Sequence, residues 1–419
     1  MSTLQTPLPR ATRDIHFTEF VLLCAALMSM NALSIDPMLP AFPQIAQDLA
    51  IPHANDRQLI ISVYFMGLGV GALLFGVLSD RYGRKQVLGW SLALFVAATI
   101  ACASAASFAW LLVARGLAGF FAGASRVVVV SIVRDRFHGD AMARVMSLIF
   151  TVFMVVPVLA PSFGQAVLLI APWRWIFWIL AILATGVILW MTLRLPETLD
   201  RENRLPISAP AIGRMVRQIV TTRTTIGYMV ASGVMMGCLV AFIVSVQQII
   251  FDIFDAARMF AIAFAVMAGS MGVGGLINSR LVSRFGARRL SQGALIGVVL
   301  ISIVHLGVIW AGAESLATFM VLQSITMLAT AFTGANFSSI SMEPFARGAG
   351  IASSFQAFLT TLLSSLLGAM VGAAFNGTTL PLVYGQLCFG GVALLVVLWA
   401  ERGRLFTRPH HDALRKVQP

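Results

Sequence analysis

The sequence predicts an all-α integral membrane protein. Of its 419 residues, 58% are hydrophobic and 11% are charged, whereas soluble domains carry about 25% charged residues. Apolar runs of about 20 residues, long enough to cross a bilayer as a helix, recur along the chain, and they lack the alternation of β-barrel strands. The composition therefore excludes a soluble enzyme, a disulfide-rich secreted scaffold and a disordered protein.

Twelve such runs fall into two sets of six. The first set covers residues 17–41, 58–79, 87–107, 109–132, 143–169 and 174–194. The second set covers residues 223–250, 258–281, 289–311, 315–337, 348–374 and 380–400. The first run is too long for a cleaved signal peptide, and Asp36-Pro37 does not resemble a cleavage site, so we expect it to remain as the first spanning helix.

A long, proline-containing polar connection separates the two sets. The predicted domains are an N-terminal six-helix bundle over residues 1–194, a cytoplasmic linker over 195–222, a C-terminal six-helix bundle over 223–400 and a cytoplasmic tail over 401–419. An internal repeat supports this division, because Asp80-Arg81-Tyr82-Gly83-Arg84 and Ser283-Arg284-Phe285-Gly286-Ala287 lie 203 residues apart. Paired six-helix halves are typical of one large class of transporters.

Basic residues predict the orientation in the membrane. The net charge is +12, and with a cytoplasmic N-terminus the cytoplasmic segments hold 24 arginines and lysines, against 3 in the outer loops. Cytoplasmic loops of membrane proteins are enriched in basic residues, so both termini are predicted to be cytoplasmic. The positive charge then serves topology and contact with anionic membrane lipids, and no nucleic-acid partner is expected.

The most specific motif follows the second run and spans Gly76-Val-Leu-Ser-Asp80-Arg81-Tyr-Gly83-Arg84-Lys85. Gly76 permits close approach of helices, and Gly83 allows a tight turn. Asp80 can face the positive end of the eleventh helix, which is predicted to begin near Arg347-Gly348. The alternative is a basic loop without a gating role.

This motif resembles the loop between helices 2 and 3 of the major facilitator superfamily. The resemblance implies the major facilitator fold, with twelve transmembrane helices in two pseudo-symmetric six-helix bundles. It also implies that the motif holds the two halves together in the outward-facing state. The residues to which it assigns this gating role are Gly76, Asp80, Arg81, Gly83 and Arg84.

Further segments resemble the bicyclomycin/chloramphenicol-resistance branch of the twelve-helix drug:proton antiporters. They are Asp36–Ala46 in the first helix, Arg115–Gly119 in the fourth, Pro157, Pro161 and Gly164 of the antiporter motif in the fifth, and Met342–Phe345 and Ala349–Ser353 in the second half. The chain departs from the branch near the end of helix 4, where Val130 replaces a frequent arginine and Arg126 appears one turn earlier.

Three charged residues, Asp36, Arg115 and Arg126, are predicted at membrane depth, where charges are costly and usually functional. Asp36 and Arg115 each lie about six to eight residues from the outer end of their helix, so they reach similar depth. We predict an ion pair between them. Burial favours a neutral carboxyl and a nearby arginine favours an ionised one, so protonation can depend on conformation, as proton coupling requires. A fixed structural ion pair is the alternative.

Arg126 is a candidate substrate contact. It lies eleven residues beyond Arg115, so both should share one helix face, with Arg126 about 16 Å closer to the cytoplasm. The alternative is that carbonyl groups of helix 5 bind its guanidinium. Between the two arginines, Gly119 and Gly123 have the spacing of close helix packing.

Uncharged polar residues complete the predicted substrate cavity. Each could instead form a hydrogen bond between helices. They are Asn31, Tyr64, Gln247, Asn336 and Gln356.

Together these features predict a proton-coupled multidrug efflux transporter that exports small amphiphilic compounds by drug/proton antiport with alternating access. The resemblance implies a monomer in the bacterial inner membrane that uses protons and a drug-like substrate and needs no cofactor or metal. A dedicated exporter of an amino acid, a sugar or a siderophore shares every motif. An intramembrane enzyme is disfavoured because the chain lacks a His-Glu-x-x-His pattern and a Gly-x-Ser-x-Gly elbow with partners. A non-transporting receptor would leave the coupling residues without a purpose.

Overall fold

The computed structural model describes residues 15–137, 139–199, 202, 204, 209–345 and 349–406. Within these ranges, 12 helical segments are long and apolar enough to cross a membrane, which confirms the predicted all-α membrane fold. The helices are α1 (Phe17–Ile35), α2 (Phe42–Asp48), α3 (Leu59–Tyr82), α4 (Arg84–Ala103), α5 (Phe108–Arg136), α6 (Gly139–Leu168), α7 (Arg174–Arg194), α8 (Ala209–Thr221), α9 (Arg223–Gln248), α10 (Phe260–Phe285), α11 (Ala287–Trp310), α12 (Leu316–Met342), α13 (Ala349–Ala373) and α14 (Leu380–Ala400).

The first spanning segment is longer than the sequence predicts. A 3-10 helix over Asp36–Ala41 joins α1 to α2, and the whole segment runs from Phe17 to Asp48. Pro37 and Pro40 lack the N–H groups that a regular α-helix needs, so the helix tightens here instead of ending. The predicted end at residue 41 was therefore wrong, and Asp36 lies deeper in the segment than expected.

Helices α3 and α5 pack backbone against backbone through glycines. Gly119 lies against the carbonyl group of Tyr64, and Gly71 lies against the carbonyl group of Phe120. A Cβ atom added at Gly123 would lie 2.6 Å from the backbone nitrogen of Ala72. The predicted packing role of Gly119 and Gly123 is confirmed, and the two helices form a closely joined pair.

The two halves of the chain meet along α3 and α13. The hydroxyl group of Ser365 donates a hydrogen bond of 2.8 Å to the carbonyl group of Ser62. Further along the same interface, a Cβ atom at Gly76 would lie 3.0 Å from the Cβ of Ser354. The two halves therefore contact each other over several turns of this helix pair. Helices α6 and α10 form a second contact, where a Cβ atom at Gly272 would lie 3.2 Å from Sδ of Met154.

The internal repeat appears as two matching turns on one face of the bundle. Gly83 joins α3 to α4 with φ of +106°, and Gly286 joins α10 to α11 with φ of +85°. Both values lie where glycine is strongly favoured. We call the face that holds these turns the inner face, which the basic residues predict to be cytoplasmic, and the opposite face the outer face.

The connection between the halves contains the helix α8, which the sequence analysis treated only as a polar linker. Met215 and Ile219 on one side of α8 pack against Met229, Phe345 and Ala352. The linker helix therefore lies against α9 and α13 near the inner face.

Candidate functional site

Asp36 lies where α1 changes into the 3-10 helix, and its side chain lines a cavity between the two halves. The residue is only 4% exposed. Within the described part of the chain its carboxyl group has no ion pair and no hydrogen bond. An ionised carboxylate without a partner at such a position carries a large free-energy cost.

The antiporter motif of α6 packs directly on this segment. Gly164 lies against the backbone of Pro37, and a Cβ atom there would lie 2.7 Å from the carbonyl carbon of Pro37. Pro157 lines the same cavity as Asp36. Pro161 lies between these two residues on α6. The structure therefore brings the predicted first-helix and fifth-helix motifs together.

Arg115 is fully buried inside the N-terminal half. Its Nη1 donates to the carbonyl group of Ser34 at 2.9 Å, and its Nε donates to the carbonyl group of Ile60 at 3.2 Å. The guanidinium also lies 4.3 Å from the ring centroid of Tyr64. None of the ion pairs among the described residues joins it to Asp36. In this conformation the predicted pair is absent: backbone carbonyl groups bind Nη1 and Nε of Arg115, and Nη2 is buried without a hydrogen-bond partner among the described residues.

Tyr64 and Asn31 connect Arg115 to the cavity. The hydroxyl group of Tyr64 donates to Oδ1 of Asn31 at 3.3 Å, and Nδ2 of Asn31 donates to Oγ of Ser125 at 3.1 Å. Asn31 lines the cavity, whereas Tyr64 is fully buried behind it. A polar chain thus runs from the buried guanidinium to the cavity wall.

The cavity that Asp36 lines is mostly apolar and has a volume of about 250 Å³. Both halves contribute to it, through α1, α3 and α6 on one side and α9 and α10 on the other. We call it the apolar chamber, and it is defined by Phe65, Phe150, Phe153, Met154, Phe242 and Phe264. Flexible methionine and broad aromatic surfaces accept apolar bodies of varied shape.

A second cavity of about 230 Å³ lies beside the first and is lined by hydroxyl groups. Most of its lining comes from α9, α12 and α13 of the C-terminal half. We call it the hydroxyl chamber, and it is defined by Ser232, Thr330, Thr333, Ser338, Ser353 and Thr360. Gln356, a predicted cavity residue, also lines it.

Arg126 lines both chambers. Met236 and Met271 also border both. Within the part of the chain that the structure describes, the guanidinium of Arg126 has no ion pair and no hydrogen bond. The carbonyl groups of α6, which is the fifth spanning helix of the sequence analysis, therefore do not bind it. Its positive charge therefore faces the space between the two chambers.

The other predicted cavity residues lie outside both linings in this conformation. Asn336 donates a hydrogen bond of 2.8 Å to Oδ1 of Asn278, which joins α12 to α10. Gln247 is fully buried, and its amide oxygen and nitrogen have no hydrogen-bond partner among the described residues. As substrate contacts, Tyr64, Gln247 and Asn336 stay predictions.

The motif between α3 and α4 forms an ion-pair network on the inner face. Arg84 is buried and lies 2.5 Å from Asp80 and 3.0 Å from Asp135 of α5. Its backbone nitrogen donates to Glu197 at 2.8 Å. Sequence reasoning missed Asp135 and Glu197. Arg81 is exposed and lies outside this network.

Asp80 lies at the first described turn of α13, as the motif predicts. A Cβ atom at Gly350 would lie 3.7 Å from Oδ2 of Asp80. Arg347-Gly348, where the sequence analysis began this helix, lies outside the described residues. A carboxylate beside the N-terminus of a helix is stabilised by the helix dipole.

Replacing Asp80 with Asn should slow transport and shift the protein towards inward-facing conformers. The substitution removes the negative charge at the start of α13 and one partner of Arg84. Distances between spin labels across the inner face would measure the shift. Asp255→Asn, on the exposed outer surface, is the matched control. An unchanged distance distribution in Asp80→Asn would contradict a gating role.

On the outer face, polar bonds join the two halves. Nδ2 of Asn55 donates to the carbonyl groups of Ala373 at 3.1 Å and Phe375 at 2.9 Å. The amide of Gln58 is bonded to that of Gln248. Arg57 forms an ion pair of 3.0 Å with Asp252. We call this set the outer gate, and it closes the space between the halves on that face. The bonded residues are Asn55, Arg57, Gln58, Gln248, Asp252, Ala373 and Phe375.

The family follows from comparison with known proteins. Residues 21–369 match the Major Facilitator Superfamily. This chain belongs to the major facilitator superfamily. The transporter is similar to the uncharacterized MFS-type transporter YdgK of Bacillus subtilis, with 31% identity over 385 residues, which cover 88% of this chain and 94% of that protein.

Two further comparisons agree with this assignment. The bicyclomycin resistance protein homolog of Haemophilus influenzae is 24% identical over 373 residues, covering 87% of this chain and 92% of that protein. The structure of the xylose transporter XylE from E. coli, in a partially occluded inward-open conformation, aligns with a TM-score of 0.69 and 14% identity, over 91% of this chain and 97% of that chain. The predicted family and the major facilitator fold are confirmed.

Proposed function

We propose that this transporter exports small amphiphilic compounds in exchange for protons. The observation that supports the proposal best is Asp36, a buried carboxyl group on the wall of a cavity between the two halves, which has no partner within the described ranges. Ionisation of a carboxyl group in this setting carries a large free-energy cost. It can therefore couple proton uptake to the conformation of the protein.

The proposed cycle assigns a protonation state to the described conformation. The outer gate is closed and Asp36 has no counter-charge, which fits the neutral carboxylic acid. The inner side then opens, substrate binds from that side and the proton leaves. The ionised Asp36 pairs with a cation, such as Arg115, when the helix break at Pro37 shifts. Opening towards the outer face releases the substrate and admits the next proton.

The apolar chamber supports an amphiphilic substrate. Its aromatic and methionine side chains can bind apolar groups of different shapes. The similarity to a bicyclomycin resistance protein homolog favours a drug-like substrate over a dedicated metabolite. We further propose that the transporter is a monomer in the bacterial inner membrane, with both termini in the cytoplasm.

The energetics allow export against a gradient. One elementary charge that crosses a potential of 100 mV releases about 2.3 kcal/mol. This free energy corresponds to a concentration ratio of roughly fifty, before any pH gradient is added. A single proton per cycle is therefore sufficient for useful export.

Reconstituted protein can test the proposal. In proteoliposomes with an acidic lumen, an added amphiphilic drug should accumulate inside while a luminal dye reports proton loss. Collapse of the pH gradient with an ionophore should release the drug, and protein-free liposomes provide the control. A panel should include drugs, amino acids, sugars and a siderophore, because uphill transport of a single metabolite would favour the dedicated exporter. Drug accumulation that ignores the ionophore would contradict antiport.

A further inference from the structure

The two chambers differ in chemistry and meet at Arg126, whose guanidinium has no partner among the residues that the structure describes. The apolar chamber holds the aromatic residues, whereas the hydroxyl chamber holds serines, threonines and Gln356. Arg126 borders both. A molecule that occupied both chambers would therefore place an apolar body against aromatic rings and a polar head against Arg126 and the hydroxyl groups.

Several polar groups of the hydroxyl chamber have no hydrogen-bond partner among the described residues. Ser232 and Gln356 are each 7% exposed, and neither side chain forms a hydrogen bond within the described ranges. The buried hydroxyl group of Thr360 is likewise without a partner there. Buried polar groups are normally hydrogen-bonded, so a cluster of unpartnered ones indicates a binding site for a polar ligand.

Other hydroxyl groups of the chamber already donate hydrogen bonds to carbonyl groups of the protein. Thr330 donates to the carbonyl group of Thr326 at 2.8 Å, and Thr333 donates to that of Thr330 at 2.7 Å. Among the described residues, the donors left for a ligand are the guanidinium of Arg126, the amide of Gln356 and the hydroxyl groups of Ser232, Ser338 and Thr360. A site rich in donors and carrying a positive charge fits a group that accepts hydrogen bonds and is negative.

We infer that the hydroxyl chamber binds the head group of the substrate and that this head group is a carboxylate. Arg126 binds the carboxylate oxygens, because a guanidinium offers parallel donors that match them. Ser232 and Gln356 donate to the remaining lone pairs. The apolar chamber binds the rest of the molecule. Substrates are therefore monoanionic amphiphiles, and an ammonium head is excluded because two desolvated cations repel.

This inference rests on the proposed function only in taking the bound molecule to be the one exported. Binding can be measured without a proton gradient, so the two claims fail separately. Carboxylate binding without antiport would leave the head-group site intact and reject the proposed coupling. Antiport restricted to cationic drugs would support the proposed coupling and reject the carboxylate head-group site.

A matched ligand series tests the head group. The probes are 4-phenylbutyrate, 4-phenylbutyramide and 4-phenylbutylamine, which share one apolar body. Calorimetry on the purified transporter should show that the carboxylate binds at least tenfold more tightly than the amide and that the amine binds weakest. An equal or reversed order, or no carboxylate binding at millimolar concentrations, would overturn the inference.

Two variants locate the selectivity. Arg126→Gln keeps hydrogen-bond donors and removes the charge, so the preference for carboxylate over amide should fall to about twofold or less. Arg258→Gln makes the same change at an exposed outer position and should keep the full preference. Ser232→Ala should weaken carboxylate binding severalfold without removing the preference. A full preference retained in Arg126→Gln, with normal thermal stability, would also overturn the inference.

Discussion

Replacing Asp36 with Asn should abolish uphill export while substrate binding and downhill counterflow are largely retained. The substitution keeps the size of the side chain and removes its titration. Asp36 is buried on the wall of the apolar chamber, and none of the described residues provides it with a counter-charge. An amide in this position can still contact substrate, but it cannot carry a proton through the cycle. Drug accumulation in proteoliposomes under an imposed pH gradient is the decisive measurement.

The control for this experiment is Asp255→Asn, which removes a carboxylate from the exposed outer surface. Its accumulation should match that of the unmodified protein. Counterflow with equal pH on both sides should proceed in Asp36→Asn at a rate similar to the unmodified protein. Undiminished gradient-driven accumulation in Asp36→Asn would remove Asp36 from the coupling mechanism.

Replacing Gly164 with Ala should slow transport about fivefold to 150-fold, because overpacking costs about 1–3 kcal/mol and, where this cost falls on the barrier of the cycle, each 1.4 kcal/mol is a factor of about ten in rate. The added Cβ would overlap the backbone of Pro37. A backbone contact cannot be relieved by rotating a side chain, so α6 or the segment after Asp36 must move. Initial rates of drug efflux from cells with equal surface expression would measure the effect.

Gly186 of α7 offers a matched substitution, because a Cβ atom there would have no neighbour within 4 Å. Gly186→Ala should transport at the normal rate. If Gly164→Ala also transports normally, the close contact between α6 and Pro37 has no part in the cycle. A thermal unfolding curve for each variant separates slow transport from poor folding.

The sequence predicted the helices of the fold well because a long apolar run in a charge-poor chain has one stable arrangement, a spanning helix. The sequence repeat around Gly83 and Gly286 also corresponds to a structural repeat, two matching turns between helices. The predicted boundary at residue 41 failed because Asp36 and three nearby prolines look like the end of a helix. In the structure, a 3-10 turn lets the helical segment continue to Asp48. This continuation depends on the packing of α6 against the turn, which the local sequence does not show.

The candidate site was predicted in part. Four of the predicted residues line the two chambers, as polar residues within apolar helices suggest. They are Asn31, Asp36, Arg126 and Gln356. The pairing of Asp36 with Arg115 could not be settled from helix depth. Depth gives no information on the free carbonyl groups that compete for a guanidinium.

The hydroxyl chamber escaped sequence analysis for a different reason. Serines and threonines in membrane helices commonly bond to their own helix carbonyls, so no single one stands out. By contrast, the sequence contains a signal for Glu197, the acidic partner of Arg84 on the linker side. Glu197 and Glu401 each follow the last helix of their half, and Glu401 likewise accepts a hydrogen bond of 2.8 Å from Arg288.

The composition of the outer gate sets how much work is needed to open it. Its bonds are mainly between uncharged amides and carbonyl groups, each worth about 0.5–1.5 kcal/mol. The ion pair described in the gate joins Asp252, which is 45% exposed, to Arg57, which is 8% exposed, and a pair that is open to solvent on one side contributes on the order of 1 kcal/mol. The total is on the order of a few kcal/mol, comparable to the 2.3 kcal/mol that one proton gains over about 100 mV. Under the proposed antiport, the entry of one proton would therefore offset a large part of the free energy of these bonds.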